Sequence, residues 1–251
     1  QKQSAIGISG GFANGDCSGR GTSLLIQGNK IGTDVSGTYA IRNGFDNTGG
    51  GYIAGTIGIL RGFADTGGFG GDDPLARNIV SGSAGDALAV GDACFMSLPV
   101  NLPVSNNLIG LNTSLLPLGN GGIGLTVNAS LLQIGGTSQT ANQIAYNGTN
   151  SEADQAGVFI GGRNGRPAVG VTIRGNSIHD NDGVGIDLGR RHPNPAFSVF
   201  IVDGVTANDC LDGDFGPNLL QNYPLLFEPT ENGNGGTTIT GYLRGAPAQE
   251  F

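Results

Sequence analysis

The sequence predicts an all-β chain wound as a single right-handed parallel β-helix, a solenoid of about five to six coils with a loop-rich C-terminal extension. Three observations lead there. In the stretch from Gly157 to Gly189, apolar residues alternate in brief runs (Val158 and Ile160, Val171 and Ile173, Ile186 and Leu188), and each run stops at Gly or Asn. Alternation at period two is the signature of a strand, and a Gly or Asn every few residues makes that strand turn at once. The same unit recurs upstream, which marks a repeat architecture. Finally, 48 of the 251 residues are Gly, yet a hydrophobic fraction of 37 % falls in periodic runs, enough to bury a continuous core.

Composition bounds the function. Charged residues make up 13 %, net charge is −8, and the 12 Lys and Arg are scattered along the chain. That pattern gives no basic footprint for nucleic acid or an anionic membrane. No apolar run reaches the 18 residues a membrane helix needs, and the first residue is Gln1, as expected for a processed, secreted chain. Cys17, Cys94 and Cys210 lack CxxC or Cys/His metal spacing, so at most one disulfide forms within the chain, and the pairing stays open.

Taken in order, residues 1–23 read as an irregular Gly- and Asn-rich lead-in, 24–189 as the β-helix, and 190–251 as a C-terminal cap or linker with a terminal strand. From Leu24, LLIQGNKIGTD gives a strand, a turn at Gly28 and Asn29, and a second strand at Ile31. Asn29-Lys-Ile-Gly-Thr-Asp34 aligns with Asn107-Leu-Ile-Gly-Leu-Asn112, and Ala76-Arg-Asn-Ile-Val-Ser-Gly82 with Ala141-Asn-Gln-Ile-Ala-Tyr-Asn147, at unequal offsets that imply loop insertions. Ile57, Leu88, Leu125, Val158 and Ile186 occupy equivalent places in successive units. At ~4.8 Å per stacked strand the coils make a rod core of roughly 25 to 30 Å. Gly supplies φ > 0 at the corners, and Asn tolerates the left-handed conformation and stacks on the Asn of the next coil. Asn29, Asn78, Asn107, Asn142, Asn176 and Asn181 are the expected corners. Gly189 to Pro229 lacks periodicity and leads away from the stack, and Thr237 to Tyr242 alternates as one strand without an obvious partner.

These motifs (QGNKIGTDVSGT, ARNIVSG, LGNGGIGLTV, IGGTSQTANQI, IRGNSIHDNDGVGIDLG) resemble the right-handed parallel β-helix repeats of large secreted bacterial surface proteins. The tail NDCLDGDFGPNLLQNYPLL followed by GTTITGYLRGAP resembles the junction of such a helix with a β-sandwich module. The resemblance spans about Leu24 to Ala246 and implies fold more than activity. RRHPNPAFSVFIV, from Arg190 to Val202, stands out as an insertion.

Several constellations could carry chemistry. Asp209, Asp212 and Asp214 flank a Gly turn with the hard oxygen ligands that suit Ca²⁺, although no bidentate Glu follows as in an EF-hand. Otherwise no cofactor is expected. His179, Asp180 and Asp182, with Asp187, are expected on outward positions of one coil, and Arg190, Arg191 and His192 follow as a basic loop suited to an acidic sugar. Asp72-Asp73 echoes the paired acids of polysaccharide hydrolases without their companion motifs. Asn112, Asn128 and Asn147 begin N-glycosylation sequons. No catalytic residue is assigned. The expected function is an extracellular structural, adhesive or matrix protein, secreted or held at the cell surface, whose partners are copies of itself, joined by strand donation or end-to-end stacking, or a surface glycan. The rival is a β-helix that binds or cleaves polysaccharide.

Overall fold

The computed structural model describes residues 6–9, 23–43, 57–61, 66–92, 99–150, 154–210 and 212–245. Its strands are β1 (Ile6–Ser9), β2 (Ser23–Ile26), β3 (Lys30–Ile31), β4 (Ile57–Arg61), β5 (Thr66–Gly70), β6 (Ile79–Val80), β7 (Leu88–Asp92), β8 (Val104–Ser105) and β9 (Leu108–Ile109). They continue with β10 (Leu125–Asn128), β11 (Gln133–Gly135), β12 (Gln143–Ala145), β13 (Ala156–Ile160), β14 (Gly162–Arg163), β15 (Arg166–Pro167), β16 (Thr172–Arg174), β17 (Ser177–His179) and β18 (Val184–Leu188). The extension adds β19 (Arg190–Arg191), β20 (Phe200–Ile201), β21 (Leu225–Leu226), β22 (Thr230–Glu231), β23 (Thr237–Thr238) and β24 (Gly241–Tyr242). Two short 3₁₀ turns complete the set, and no α-helix occurs among the described residues.

Three parallel sheets carry the fold. Sheet one runs β1-β4-β7-β10-β13-β18, sheet two β2-β5-β8-β11-β16 and sheet three β3-β6-β9-β12-β17. The chain visits them in the same order on every circuit, an arrangement compatible with a parallel β-helix. Each strand is too short to hold itself, so its hydrogen bonds come from the circuits before and after. Register is set by the aliphatic positions, since a slip of one residue would send every inward side chain to solvent. Ile57, Leu88, Leu125, Val158 and Ile186 stand opposite one another across sheet one, as expected. Ile26, Phe69, Val104, Ile134 and Ile173 do so across sheet two, and Ile31, Val80, Ile109, Ile144 and Ile178 across sheet three. All but the last circuit's members bury these side chains in one continuous cluster, with Ile26 half-buried at the opposite end.

Asparagines stitch the corners. In one ladder the Nδ2 of Asn29 donates to Oδ1 of Asn78, Asn78 to Asn107, Asn107 to Asn142 and Asn142 to Asn176, each at 2.9 or 3.0 Å. Each rung also spends a backbone N–H on the next Oδ1 and an Nδ2 proton on a carbonyl of its own or the preceding circuit, so these buried amides are fully used. Asn181 belongs to a second ladder, which the sequence reading missed: Asn120 donates to Asn147 and Asn147 to Asn181. Gly110 (φ +86°) shows why the corners favour Gly, because a Cβ there would run into the Ala145 carbonyl oxygen.

Four expectations change. Residues 6–9, placed in an irregular lead-in, form β1 and pair with β4, giving sheet one a sixth strand. Ile79 aligns with Leu108, and Leu108 with Gln143, so the Ala76–Gly82 segment is offset from its counterpart by one residue relative to the match read from sequence. Thr237 to Tyr242 is not one unpartnered strand: β23 pairs antiparallel with β22 and β24 with β21, all within the chain, which removes the reason for donating it to a neighbour. The extension does not lead away from the stack either. Asn218 receives the Val171 N–H at 2.8 Å and donates to the Val171 carbonyl at 2.8 Å, standing in for a further strand at the end of sheet two.

Candidate functional site

Two places near the last circuit gather polar side chains, and the residues picked from sequence divide between them. At the corner after sheet three, Asp180 adopts a left-handed backbone (φ 50°), as Tyr146 (φ 59°) and Gly82 (φ 74°) do at the same place on earlier circuits. That geometry sets the Asp180 carboxylate 2.8 Å from His179 Nδ1. The hydrogen bond from His179, with a smaller one from the Tyr146 hydroxyl, holds the Asp180 carboxyl below the usual carboxylate range. The Tyr146 phenol is pushed up, first by partial burial and then by the Asp180 charge. Tyr146 also meets the His179 ring edge-on, with centroids 6.1 Å apart. With Nδ1 engaged by carboxylate, the Nε2 of His179 is the nitrogen left to a hydrogen-bonding ligand. The corner is exposed, and Asp182 lies beside it.

Asp187 does not share that face. It is fully buried beneath the extension, where Oδ2 accepts the Gly204 N–H at 2.7 Å and the Asp203 N–H at 3.3 Å, while Oδ1 has no partner. Burial pushes its carboxyl up to about 6. Sequence alternation placed it outward beside His179, Asp180 and Asp182; residues far along the chain bury it instead, which alternation cannot show.

The second place is built from two hairpins that grow out of the stack. Asn164 (φ 51°) and Gly165 (φ 71°) make a two-residue turn of type I′, the turn that matches strand twist, and it sets Arg163 directly across from Arg166. The second hairpin pairs Arg190 with Ile201 and Arg191 with Phe200. An antiparallel bridge from Arg163 to Val199 and a hydrogen bond from Gly165 N to the Ser198 carbonyl join the two. Phe200 anchors them by packing with Ile123, Ala156 and Phe159 on the outer side of sheet one. The Arg191 guanidinium lies against Gly165, 3.2 Å from where a Cβ would stand. Arg190 pairs with Asp203 at 3.0 Å, and the His192 ring packs edge-on against Phe197 while Nδ1 accepts the Asn194 N–H at 3.1 Å. The sequence reading found Arg190, Arg191 and His192 but missed Arg163 and Arg166, although the R-N-G-R turn was legible.

Most of the other candidates are occupied internally. Asp209 accepts the N–H groups of Asp212 and Gly213, and Asp212 accepts the Asn222 N–H at 2.7 Å, while Asp214 is exposed. No three His, Cys, Asp or Glu side chains are grouped as metal ligands among the described residues. Asp73 accepts the Leu75 N–H and caps a 3₁₀ turn, a local structural duty. Asn147 is a buried rung and Asn112 is buried as well, so neither sequon presents its side chain at the surface. Cys210 is a free, exposed thiol; Cys17 and Cys94 lie outside the described residues. No protein-family model, curated protein or solved structure matches the chain.

Proposed function

We propose that the three sheets are the faces of one right-handed parallel β-helix and that the protein is an extracellular structural or adhesive rod, secreted or held at a cell surface. The observation that carries the reading is the unbroken asparagine ladder from Asn29 to Asn176, which crosses five circuits and couples each to its neighbours through side-chain amide bonds, buried in the middle of the stack. The right hand follows from the strong preference of parallel crossover connections for that sense. A solenoid tied this way is stiff along its axis and projects insertions from its corners, which suits display of contact surfaces away from a cell. The two arginine-bearing hairpins are such insertions. Antibodies against the chain should label intact source cells or their surrounding matrix; labelling that needs permeabilised cells would overturn the extracellular role.

A further inference from the structure

We infer that the open edge of β18, together with the cavity beside it, is a docking slot for an extended, uncharged peptide segment of a partner protein, which adds to sheet one as a further parallel strand. The inference stands on strand order and goes beyond the extracellular reading, on which it does not depend. In sheet one the inward residues spend their backbone groups on the following circuit: Leu88 N–H donates to the Gly124 carbonyl, the Val127 carbonyl accepts the Gly161 N–H, and the Ile160 carbonyl accepts the Gly189 N–H. By that pattern Ile186 turns both its N–H and its C=O, and Leu188 its N–H, toward the place of a circuit that no described strand fills. The Leu188 carbonyl, beside them, is met at 3.4 Å by the Thr206 hydroxyl. Gly185 and Ile186 are exposed, so the edge is within reach of solvent. Edge strands are commonly blunted by Pro, Lys or a bulge, and the sequence from Val184 to Leu188 contains neither Pro nor Lys.

The chemistry of the slot selects its occupant. A cavity of about 710 Å³ adjoins the edge, with Ile173, Ile186 and Leu188 on one side and Val205 and Tyr223 on the other, a size within the roughly 300–1,000 Å³ usual for ligand sites. No charged side chain lines it, and the amides of Asn218 and Asn222 are already spent, the first on the Val171 backbone and the second on the Asp209 and Arg244 carbonyls. Sugar hydroxyls would find few side-chain partners there. A hydrocarbon would fill the cavity and leave the β18 backbone groups unpaired. A peptide strand meets both needs, main chain against the edge and alternate aliphatic side chains in the cavity. A second copy of the chain fits less well, because its strands with that alternation are held in their own stack. The segment from Gly204 to Pro224 also stands over the last circuit, where a second stack would have to sit.

The test is fluorescence anisotropy, titrating the intact chain into a labelled, end-capped peptide that copies residues 123–129, IGLTVNA, whose Leu125 and Val127 already stand beside the preceding strand of sheet one. We expect saturable binding. A peptide with Asp in place of both Leu125 and Val127 should bind about tenfold more weakly, because it carries charge into an apolar cavity. A peptide N-methylated at Thr126 loses an N–H directed at the preceding strand and should be weakened about as much, since main-chain bonds provide the affinity of an added strand. In the protein, Ile186→Asp and Val205→Asp should each weaken binding severalfold, while Val35→Asp, at an exposed position in the first circuit, should bind as the parent does. Val205 is an exposed loop side chain, so its variant keeps the test decisive if Ile186→Asp fails to fold. No binding of the unmodified peptide, equal binding of the N-methylated one, or unchanged binding by Val205→Asp would each overturn the proposal. Uptake of decanol without uptake of peptide would give the cavity to a hydrocarbon, and an oligomer in sedimentation that the peptide dissociates would give the slot to a second copy; either result overturns it too.

Discussion

Replacing Asn107 with Ala should unfold the protein far more readily than the same change at Asn29, although both residues occupy the same corner. Asn107 is fully buried. Its Nδ2 donates to the Phe69 carbonyl, the Ser105 carbonyl and Asn142 Oδ1, each at 2.9 Å, and its Oδ1 accepts from Asn78 N at 3.2 Å and Asn78 Nδ2 at 3.0 Å. Truncation removes the only acceptor for the Asn78 N–H and strips a donor from two carbonyls in a site closed to water. A buried polar group left without a partner costs about 1–3 kcal/mol, and two or three such groups add up to about 3–6 kcal/mol once some relaxation is allowed. Asn29 is exposed and ends the ladder, so its loss should cost about 1 kcal/mol, the ordinary net worth of a hydrogen bond. Asn107→Asp should be at least as damaging as Asn107→Ala, since it turns an oxygen toward three acceptors. Equilibrium urea unfolding of the three variants reads this directly. Equal destabilisation by Ala at positions 29 and 107, or an Asn107→Asp variant as stable as the parent, would refute the idea that the ladder couples the circuits.

Other consequences follow from the same structure. Burial pushes the Asp86 carboxyl up to about 7 and Asp187 up to about 6, against 3.8 for the free group. A raised folded-state value means stability that is full below about pH 4 and lost as pH rises through 6 to 7, so the melting temperature should fall between pH 5 and 8 by the equivalent of at most about 4 kcal/mol; Asp86→Asn with Asp187→Asn should flatten that slope, and a parent profile that rises toward pH 8 would contradict it. Gly110→Ala should destabilise by more than about 1 kcal/mol, because the left-handed corner strains any Cβ and the Ala145 carbonyl leaves no room; an unchanged urea midpoint would disprove the close approach. Val158→Asp should destabilise by several kcal/mol through a buried, unpaired carboxylate, whereas Ile186→Asp, in the same register but 45 % exposed, should cost much less. Indistinguishable melting curves for those two variants would contradict the inward assignment of Val158.

What could be read from the chain was whatever repeats. The sheet-one positions from Ile57 to Ile186 and the ladder from Asn29 to Asn176 recur with the same neighbours, so counting located them. Insertions defeated the count. The loop from Asn112 to Leu118 folds back on itself through a Leu111–Pro117 bridge, pushing the equivalent of Asn147 out to Asn120, so that the second ladder has no constant spacing along the chain. Gly marked most left-handed corners, but Tyr146 and Asp180 take the same conformation without a glycine to announce it. β1 was overlooked because four residues, IGIS, stand alone among Gly and Asn, and only their partner 51 residues later makes them a strand. The gathering of arginines was invisible for a related reason: two hairpins 28 residues apart along the chain meet through one bridge.

The last circuit shows how far burial is a property of the stack and how little of the residue. Ile186 stands opposite Val158, and Val158 is fully buried while Ile186 is 45 % exposed. The difference is the absence, among the described residues, of a following strand on sheet one. Residues 203–224 take over part of that strand's work in a definite order. Asn218 satisfies the Val171 backbone, Asp187 fastens the Asp203 and Gly204 N–H groups, and Asn222 bridges Asp209 to the Arg244 carbonyl. Those are hydrogen-bonding duties. The apolar duty is only half met: a cavity of about 710 Å³ remains above Ile173, Ile186 and Leu188, walled on the far side by Val205, Asn222 and Tyr223. An unmet backbone group costs more per atom than an uncovered methyl, so a cap assembled from loop residues fixes the polar groups first and leaves space over the methyls. The same segment carries the second arginine hairpin at its root, with Asp203 joined both to Asp187 and to Arg190. The cap and the second hairpin are therefore one folded unit, and loosening the Asp187 contact should disturb both.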